Sequence, residues 1–271
     1  MHALLTHPAF QAGLAPFLVA LLTAELLQRL RLSGLAIVAG FAITVYLVSG
    51  FGYEPLTSTR KIIWLGLASA AFAIPLTLLN SSLWRPVLSA LAAAAAVWVC
   101  VRVLQQQPIG TALEWGTGCA LYVGWLVFWM DTLHESPVRA ASAGVALGLG
   151  TGLAVLVGAS ALLGQLGLAL GAATMAYLLI MFISNSLLPC GRTFTLPLAL
   201  IAGLLACLAV LTARLPWYAL AALAAIPLAA KVPVSEKLGV WVQSTLLSAA
   251  AMVFAAGGVY LSWRVNGTPP F

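Results

Sequence analysis

The chain has 271 residues, 63% of them hydrophobic and only 7% charged, with a formal net charge of +6. An ordinary soluble domain carries about 25% charged residues, so this composition excludes a water-soluble fold and predicts a protein whose solvent is the lipid bilayer. The cations lie at the ends of apolar segments without forming a basic run, which argues against nucleic acid as a partner and indicates groups that face lipid headgroups and water.

Apolar runs bounded by charged residues, Pro and Gly predict about ten membrane-spanning helices, since roughly 20 apolar residues cross the hydrocarbon core. The predicted spans are 9–28, 33–51, 62–79, 86–104, 110–130, 138–162, 165–184, 194–213, 215–230 and 238–262. These runs lack the alternation of barrel strands, so the predicted fold class is an all-α, polytopic transmembrane helical bundle. The ninth run is short and contains Pro227, which leaves nine full spans and one re-entrant or broken helix as an alternative. All connections are short, and we expect a single integral membrane domain, residues 1–271.

The predicted spans divide into two groups of five, in residues 1–133 and 134–271, with connections of similar length. The stretch VLSALAAAAAV from Val87 shares five of eleven residues with ALAALAAIPLA from Ala219. Related halves of five spans each must have opposite orientations in the membrane, which is the plan of many secondary transporters. We therefore predict an inverted five-plus-five repeat, with unrelated halves as the alternative.

Three ionisable residues within or near the predicted spans are candidates for substrate binding or proton coupling: Glu25, Arg102 and Glu114. A charge at the centre of a membrane helix costs on the order of 3 kcal/mol, so such residues usually face a bundle interior or a polar cavity. Glu114 is the first candidate for a proton-coupling carboxylate. The alternatives are ion pairs, between Glu25 and Arg29 at i to i+4 and between Glu114 and Arg102 on adjacent helices.

Other polar groups give weaker candidates. Gln243, one turn into the tenth predicted span, is a candidate substrate ligand, with interhelical hydrogen bonding or capping as the alternative. Asp131, His134 and Glu135 form the densest polar cluster and would share one face if the fifth span continued as a helix. Imidazole and carboxylate groups can bind divalent metals, but this signal is weak, and we expect a solvated turn before Ser136 rather than a metal site.

Absent motifs argue against catalysis and against a cofactor. Zinc-protease, nucleophile-elbow and nucleotide-binding motifs are missing, no histidine lies inside a predicted span to hold haem, and no lysine lies at mid-span to form a Schiff base. The four cysteines have no CxxC spacing and are expected to be buried as small hydrophobic side chains. We expect no catalytic residue and no cofactor, and an enzyme is the least favoured class.

Glycines indicate where helices approach closely. Gly144, Gly148 and Gly152 repeat at i+4, and Gly167 and Gly171 repeat this spacing in the next predicted span. Small residues at this spacing allow close contact between helix backbones. We expect tight packing within the bundle, with oligomerisation or a sliding surface as alternatives.

These features favour a small secondary transporter or permease for a neutral or amphipathic small molecule, working by alternating access between the two halves. The alternative is a non-catalytic integral membrane subunit or assembly factor of a larger complex. Homo-oligomerisation is open in both cases. Short connections and the Ala- and Leu-rich composition are typical of a multi-pass protein of a bacterial cytoplasmic (inner) membrane. Seven cations on one side against five on the other favour both termini outside the cytoplasm.

Overall fold

The computed structural model describes residues 7–78, 83–158, 160–235 and 238–267, and within these ranges all regular secondary structure is helical. A π-helical turn (Phe10–Leu14) leads into the first α-helix, and two short 3₁₀ segments (Gln28–Leu30 and Ser33–Leu35) connect it to the second. The α-helices are α1 (Ala15–Leu27), α2 (Ala36–Val48), α3 (Ser58–Leu78), α4 (Trp84–Leu104), α5 (Ile109–Asp131), α6 (Pro137–Val157), α7 (Ala161–Ser184), α8 (Gly191–Thr212), α9 (Trp217–Ala224), α10 (Ile226–Ala229) and α11 (Val240–Asn266).

Seven helical segments are long and apolar enough to cross a membrane, as expected for a helical membrane bundle: Phe10–Leu30, Ser58–Thr77, Trp84–Leu104, Pro137–Val157, Ala161–Ser184, Gly191–Thr212 and Val240–Asn266. Two shorter apolar segments are Ser33–Val48 and Trp217–Ala229. α5 has 23 residues and carries Glu114 and Asp131, and it is not among the seven.

Each predicted span coincides with a helical segment, and two of them differ in detail. The sixth predicted span runs to residue 162, but α6 ends at Val157, where the N–H of Gly158 donates to Ala154 O at 2.9 Å and closes the helix. The ninth consists of two short helices, α9 and α10, and Pro227, which lacks an N–H, lies in the first turn of the second. The inverted repeat stays a prediction.

α8 lies at the centre of the bundle and packs against α3, α4, α5, α6 and α7. Every residue from Arg192 to Ala209 is buried, as expected for a helix that is apolar on all sides. All four cysteines are buried and free, which confirms their predicted role as small core residues.

The closest helix contact is between α6 and α7. Gly148 faces the backbone of Gly171, and Gly152 faces the backbone of Leu168, so closely that a Cβ atom at either glycine would overlap those backbone atoms. The tight packing predicted from the i+4 glycine spacing is therefore confirmed.

Successive segments run in opposite directions, so alternate helix ends meet. At one end of the bundle, Trp241 Nε1 at the start of α11 donates to Phe182 O near the end of α7 at 3.2 Å. At the other end, the N–H of Arg214 after α8 donates to Gly158 O after α6 at 2.9 Å. We call the first of these the Asp131 end, because α5 ends there at Asp131, and the second the opposite end.

Candidate functional site

The polar contacts at the Asp131 end converge on one carboxylate. Asp131 is 2% exposed, and Arg192, in the first turn of α8, is equally buried. Arg192 Nε donates to Asp131 Oδ1 at 2.9 Å, and the Nε of Arg85, in the first turn of α4, lies 3.3 Å from Asp131 Oδ2 without hydrogen-bond geometry. Each carboxylate oxygen therefore faces one guanidinium group, as a buried charge requires. We call these three residues the Asp131 latch.

The latch joins the ends of four helices. Arg192 also donates from Nη1 to Leu76 O near the end of α3, at 3.2 Å. Gly191, the residue before it, has a φ of +62°, a left-handed conformation that favours glycine. The Gly191 N–H donates to His134 O at 3.1 Å, which fixes the start of α8 to the turn after α5. Local backbone geometry thus brings Arg192 to the end of α5.

The metal cluster considered for Asp131, His134 and Glu135 does not form. α5 ends at Asp131, so the three residues do not continue along one helical face. His134 Nδ1 contacts the backbone oxygen of Asp131, and His134 Nε2 lies 3.6 Å from Glu135 Oε1. Within the described ranges, no group of three His, Cys, Asp or Glu side chains fits a metal ion. The Asp131 carboxylate faces arginines instead.

A third cation lies beside the latch. Lys231 follows α10, and its Nζ lies 4.2 Å from the centroid of the Trp129 ring, within the range of a cation–π interaction. Burial and the charge of Arg85 lower the pKa of Lys231. Arg139 Nη1, in the first turn of α6, donates at 2.7 and 3.0 Å to the two backbone oxygens that flank Lys231 in sequence. The Lys231 backbone is thereby fixed to α6.

A long apolar groove of about 720 Å³ begins next to these cations. It lies between α4 and α5 and opens to the outside of the bundle, and we call it the α4/α5 groove. Its lining extends from Pro86 and Trp129 at the Asp131 end to Leu104 and Ala112 at the opposite end. At a helical rise of 1.5 Å per residue, Pro86 and Leu104 are roughly 27 Å apart. The groove is therefore about as long as the hydrocarbon core is thick, about 30 Å.

A second apolar groove, of about 340 Å³, lies on the other side of α4. Leu65 and Phe72 of α3, Leu88 and Leu91 of α4 and Leu200 of α8 contribute to its lining. α4 therefore has an open groove along each of its flanks, unlike the enclosed α8.

Glu114 and Arg102 lie apart from this cluster. Both side chains are exposed, and the ion pair considered between them is not among those formed by the described residues. The helix contact explains this, because Leu104 packs against Gly116. Arg102 and Glu114 each precede a contact residue by two positions, about 200° around the helix, and so point away from the interface. A proton-coupling role for Glu114 stays a prediction.

Glu25 and Gln243 form local contacts. Gln28 Nε2 donates to Glu25 Oε2 at 2.7 Å, and the Glu25–Arg29 pair is not among the ion pairs of the described residues. The α-helix gives way to a 3₁₀ turn at Gln28, so the i to i+4 geometry is lost. Gln243 Nε2 donates to Leu238 O at 2.7 Å, a local contact with the chain that precedes α11. Substrate binding by either residue stays a prediction.

Arg85, Arg192 and Lys231 were not predicted to lie together, because a single cation at the end of an apolar run is typical of the membrane surface. One signal was present: Asp131 is the single aspartate of the chain, at the boundary of an apolar run, and such a carboxylate needs a cation. Seven cations were predicted at this end, and no local pattern selects among them.

Comparison of the chain with protein-family models, with curated proteins and with solved structures found no match.

Proposed function

We propose that the protein is a ten-pass permease for an amphipathic small molecule. The seven long apolar segments supply seven passes. The other three are α5 and the shorter segments Ser33–Val48 and Trp217–Ala229. The contacts between alternate helix ends support this count, because they require successive segments to run in opposite directions.

The observation that carries the proposal is the placement of α4. Grooves lie along both of its flanks, while one continuous face, with Leu88, Ala96 and Leu104 among its buried residues, packs against α5 and α8. Arg85 ties one end to the Asp131 latch. At the other end, Lys61 Nζ donates to Trp98 O and Ser58 Oγ donates to Val99 O, both at 2.9 Å. Because its other sides border open grooves, α4 can shift together with α5 while the α6–α8 core stays packed.

In the proposed mechanism, the α4–α5 hairpin moves against α8. Asp131 and Arg85 both belong to the hairpin and move together, whereas Arg192 belongs to α8, so the Arg192–Asp131 pair opens and closes with each movement. The apolar part of the substrate travels in the α4/α5 groove, which reaches across the hydrocarbon core. The cations at the Asp131 end receive its polar part.

The cation distribution favours the Asp131 end in the cytoplasm. Within the described ranges this end carries Arg29, Arg31, Arg85, Arg139, Arg192 and Lys231, and the opposite end carries Arg60, Lys61, Arg102, Arg214 and Arg264. Lys237, predicted on the same side as Asp131, lies outside the described residues. The excess of cations supports this orientation by the positive-inside rule. We assign the protein to a bacterial cytoplasmic membrane on its short connections and composition.

A lipid-crossing assay tests the permease. The purified protein is reconstituted into vesicles that contain trace amounts of a phosphatidylglycerol or a phosphatidylcholine, each labelled with a fluorophore that external dithionite reduces. In protein-free vesicles, only the outer leaflet is reduced quickly. We expect the protein to bring inner-leaflet probe to the outside and to raise the rate of the slow phase at least fivefold.

Two tryptophan variants at adjacent positions of α5 test whether lipid crossing depends on the α4/α5 groove. Thr117 lines the α4/α5 groove, whereas Gly118 is exposed, lies outside it and has open space around it. Thr117→Trp should therefore lower the rate, and Gly118→Trp should leave it unchanged. The proposal is wrong if neither probe crosses faster than in protein-free vesicles, or if both tryptophan variants behave like the original protein.

A subunit of a larger membrane complex is the second candidate. It is supported by an outward-facing apolar groove of about 340 Å³ between α6 and α11, lined by Leu153, Met252, Val259 and Trp263 among others, where a partner helix could pack. Native mass spectrometry of protein extracted at natural abundance separates the two candidates. Fixed stoichiometry with other polypeptides would favour the subunit, and a monomer or homo-oligomer would favour the permease.

A further inference from the structure

The cations at the Asp131 end outnumber the carboxylates that face them. Asp131 faces Arg85 and Arg192, Lys231 lies on the Trp129 ring near Arg85, and the carboxylate of Glu135 lies beside His134. Arg192 uses Nε on Asp131 and Nη1 on a backbone oxygen of α3. Among the charged groups that the structure describes here, Asp131 neutralises one of the three cations, and two positive charges remain at the mouth of the α4/α5 groove.

Arg85 has unused donors. Its Nε faces Asp131, and its side chain is 32% exposed. Among the described residues, the ion pair with Asp131 is the contact that Arg85 forms, and it is made by Nε and not by the two terminal amino groups. A guanidinium group in this state presents a pair of N–H groups whose geometry fits a phosphate.

Lys231 supplies a second cation close enough for the charge of Arg85 to lower its pKa. Arg139 fixes the Lys231 backbone, and the Trp129 ring lies under the ammonium group, so the lysine is held in place. The Trp129 indole N–H is itself buried, and no acceptor for it lies in the described ranges. An anion beside Arg85 and Lys231 would relieve the repulsion between them.

The α4/α5 groove begins at this position. Pro86, the neighbour of Arg85, and Trp129, the partner of Lys231, both line its Asp131 end. Beyond them the lining is made of small and apolar side chains, including Ala90, Ala93 and Gly116. A cationic pair at the mouth of an apolar groove that opens towards lipid matches a molecule with one anionic head and an apolar chain.

We propose that Arg85 and Lys231 bind the phosphate of an anionic phospholipid whose acyl chain lies in the α4/α5 groove. The site favours a headgroup without a cationic amine, because a choline would lie beside two cations whose charge Asp131 does not neutralise. Phosphatidylglycerol fits this requirement and phosphatidylcholine does not. The binding site holds whether or not the protein moves lipid across the membrane.

Lipid binding to the purified full-length protein in detergent tests this site. Native mass spectrometry measures the bound fraction during titration with phosphatidylglycerol or with phosphatidylcholine of the same acyl chains. We expect phosphatidylglycerol to bind at least tenfold more tightly. Lys231→Gln should remove most of this preference, because Lys231 is exposed and its loss leaves the Asp131 pairs intact. Arg264→Gln, an exposed cation at the opposite end, is the matched control and should keep the preference.

Three further measurements decide between sources of the anion. Lys231→Arg should restore the preference for phosphatidylglycerol, which a general structural defect would not allow. Thr117→Trp should weaken lipid binding at least fivefold by filling the groove. Inorganic phosphate, added at millimolar concentration, should fail to displace the lipid. Displacement by inorganic phosphate together with an unchanged Thr117→Trp variant would identify a free-anion site and overturn the proposal.

Equal binding of the two lipids by the original protein would also overturn it, as would an unchanged preference in Lys231→Gln. These outcomes are independent of the crossing assay, since binding in detergent requires no vesicle. Anionic lipid bound without any probe crossing would contradict the permease and leave the lipid site standing. Crossing of the probes together with equal binding of the two lipids in detergent would support the permease and contradict the lipid site.

Discussion

The α6–α8 core and the α4–α5 hairpin are held by different forces. In the most apolar stretches of α6, α7 and α8, 78%, 67% and 89% of the residues are buried, against 33% in α4. The core helices approach through glycines whose backbones are in direct contact. The hairpin is attached to the core partly through a single buried carboxylate, Asp131, and α4 is bordered by open grooves.

This difference shows how an apolar chain can combine a rigid part with a part that can move. Between membrane helices, association depends on van der Waals packing and on polar contacts, since lipid is as apolar as the side chains. Complementary shape is distributed over many atoms and holds α6 to α7 throughout their length. A buried ion pair is concentrated at one point, so the movement of one side chain can release it.

Removing the carboxylate of the latch should have the largest effect on stability. Asp131→Asn removes the carboxylate that faces the buried Arg192, and breaking a buried ion pair in this way costs about 3–5 kcal/mol. We expect a corresponding fall in the free energy of unfolding, measured by denaturant titration in detergent micelles. Glu54→Gln makes the same chemical change at an exposed position and should have little effect. A loss below about 1 kcal/mol in Asp131→Asn would show that the latch does not hold the hairpin.

A methyl group at the α6–α7 contact tests the core. Gly148→Ala places a Cβ atom against the backbone of Gly171, which cannot move without separating the helices, so we expect a loss of about 1–3 kcal/mol. Gly257→Ala in α11 meets nothing within 4 Å and should be neutral or stabilising, because alanine favours a helix by up to about 1 kcal/mol. The same unfolding titration measures both variants. If both variants lose stability, close packing of α6 against α7 does not explain the loss in Gly148→Ala.

The helices and the core contact followed from local patterns in the sequence. Apolar runs of about 20 residues gave the helical segments, and the i+4 spacing of Gly148 and Gly152 gave the α6–α7 contact. Both are properties of one continuous stretch, in which helix geometry determines which residues share a face. The break between α9 and α10 was likewise anticipated from Pro227.

The latch could not be predicted in this way, because it depends on how distant helices pack. Asp131 and Arg192 are separated by 61 residues. Several other cations lie at the same end of the bundle, and the position of α8 alone decides which of them reaches the carboxylate. The Glu114–Arg102 pair failed for a related reason. Both residues lie at the same end of adjacent helices, but Leu104 and Gly116 form the contact and turn both charges outwards.

The hydroxyl group of Tyr177 connects α7 to the turn that precedes α8 and Arg192. Tyr177 in α7 donates to Leu188 O at 3.0 Å, and its side chain is fully buried. Tyr177→Phe keeps the ring and leaves that carbonyl without its donor, so we expect a loss of about 1 kcal/mol. The exposed Tyr53→Phe variant is the control, and thermal unfolding of the two proteins under identical conditions gives the comparison. An equal loss of stability in both variants would show that the Tyr177 hydrogen bond does not stabilise the core.

The smallest effect is expected at Glu114, which belongs to the hairpin but makes no ion pair among the described residues. Glu114→Gln should change the free energy of unfolding by less than about 0.5 kcal/mol, because an exposed side chain without a partner contributes little.

The same variant decides the functional role of Glu114, since proton coupling needs a carboxyl group that can release its proton. The crossing assay is repeated with a pH gradient imposed across the vesicle membrane. If the gradient accelerates the original protein and not the variant, Glu114 couples protons despite its exposure. If both respond equally, Glu114 does not couple protons.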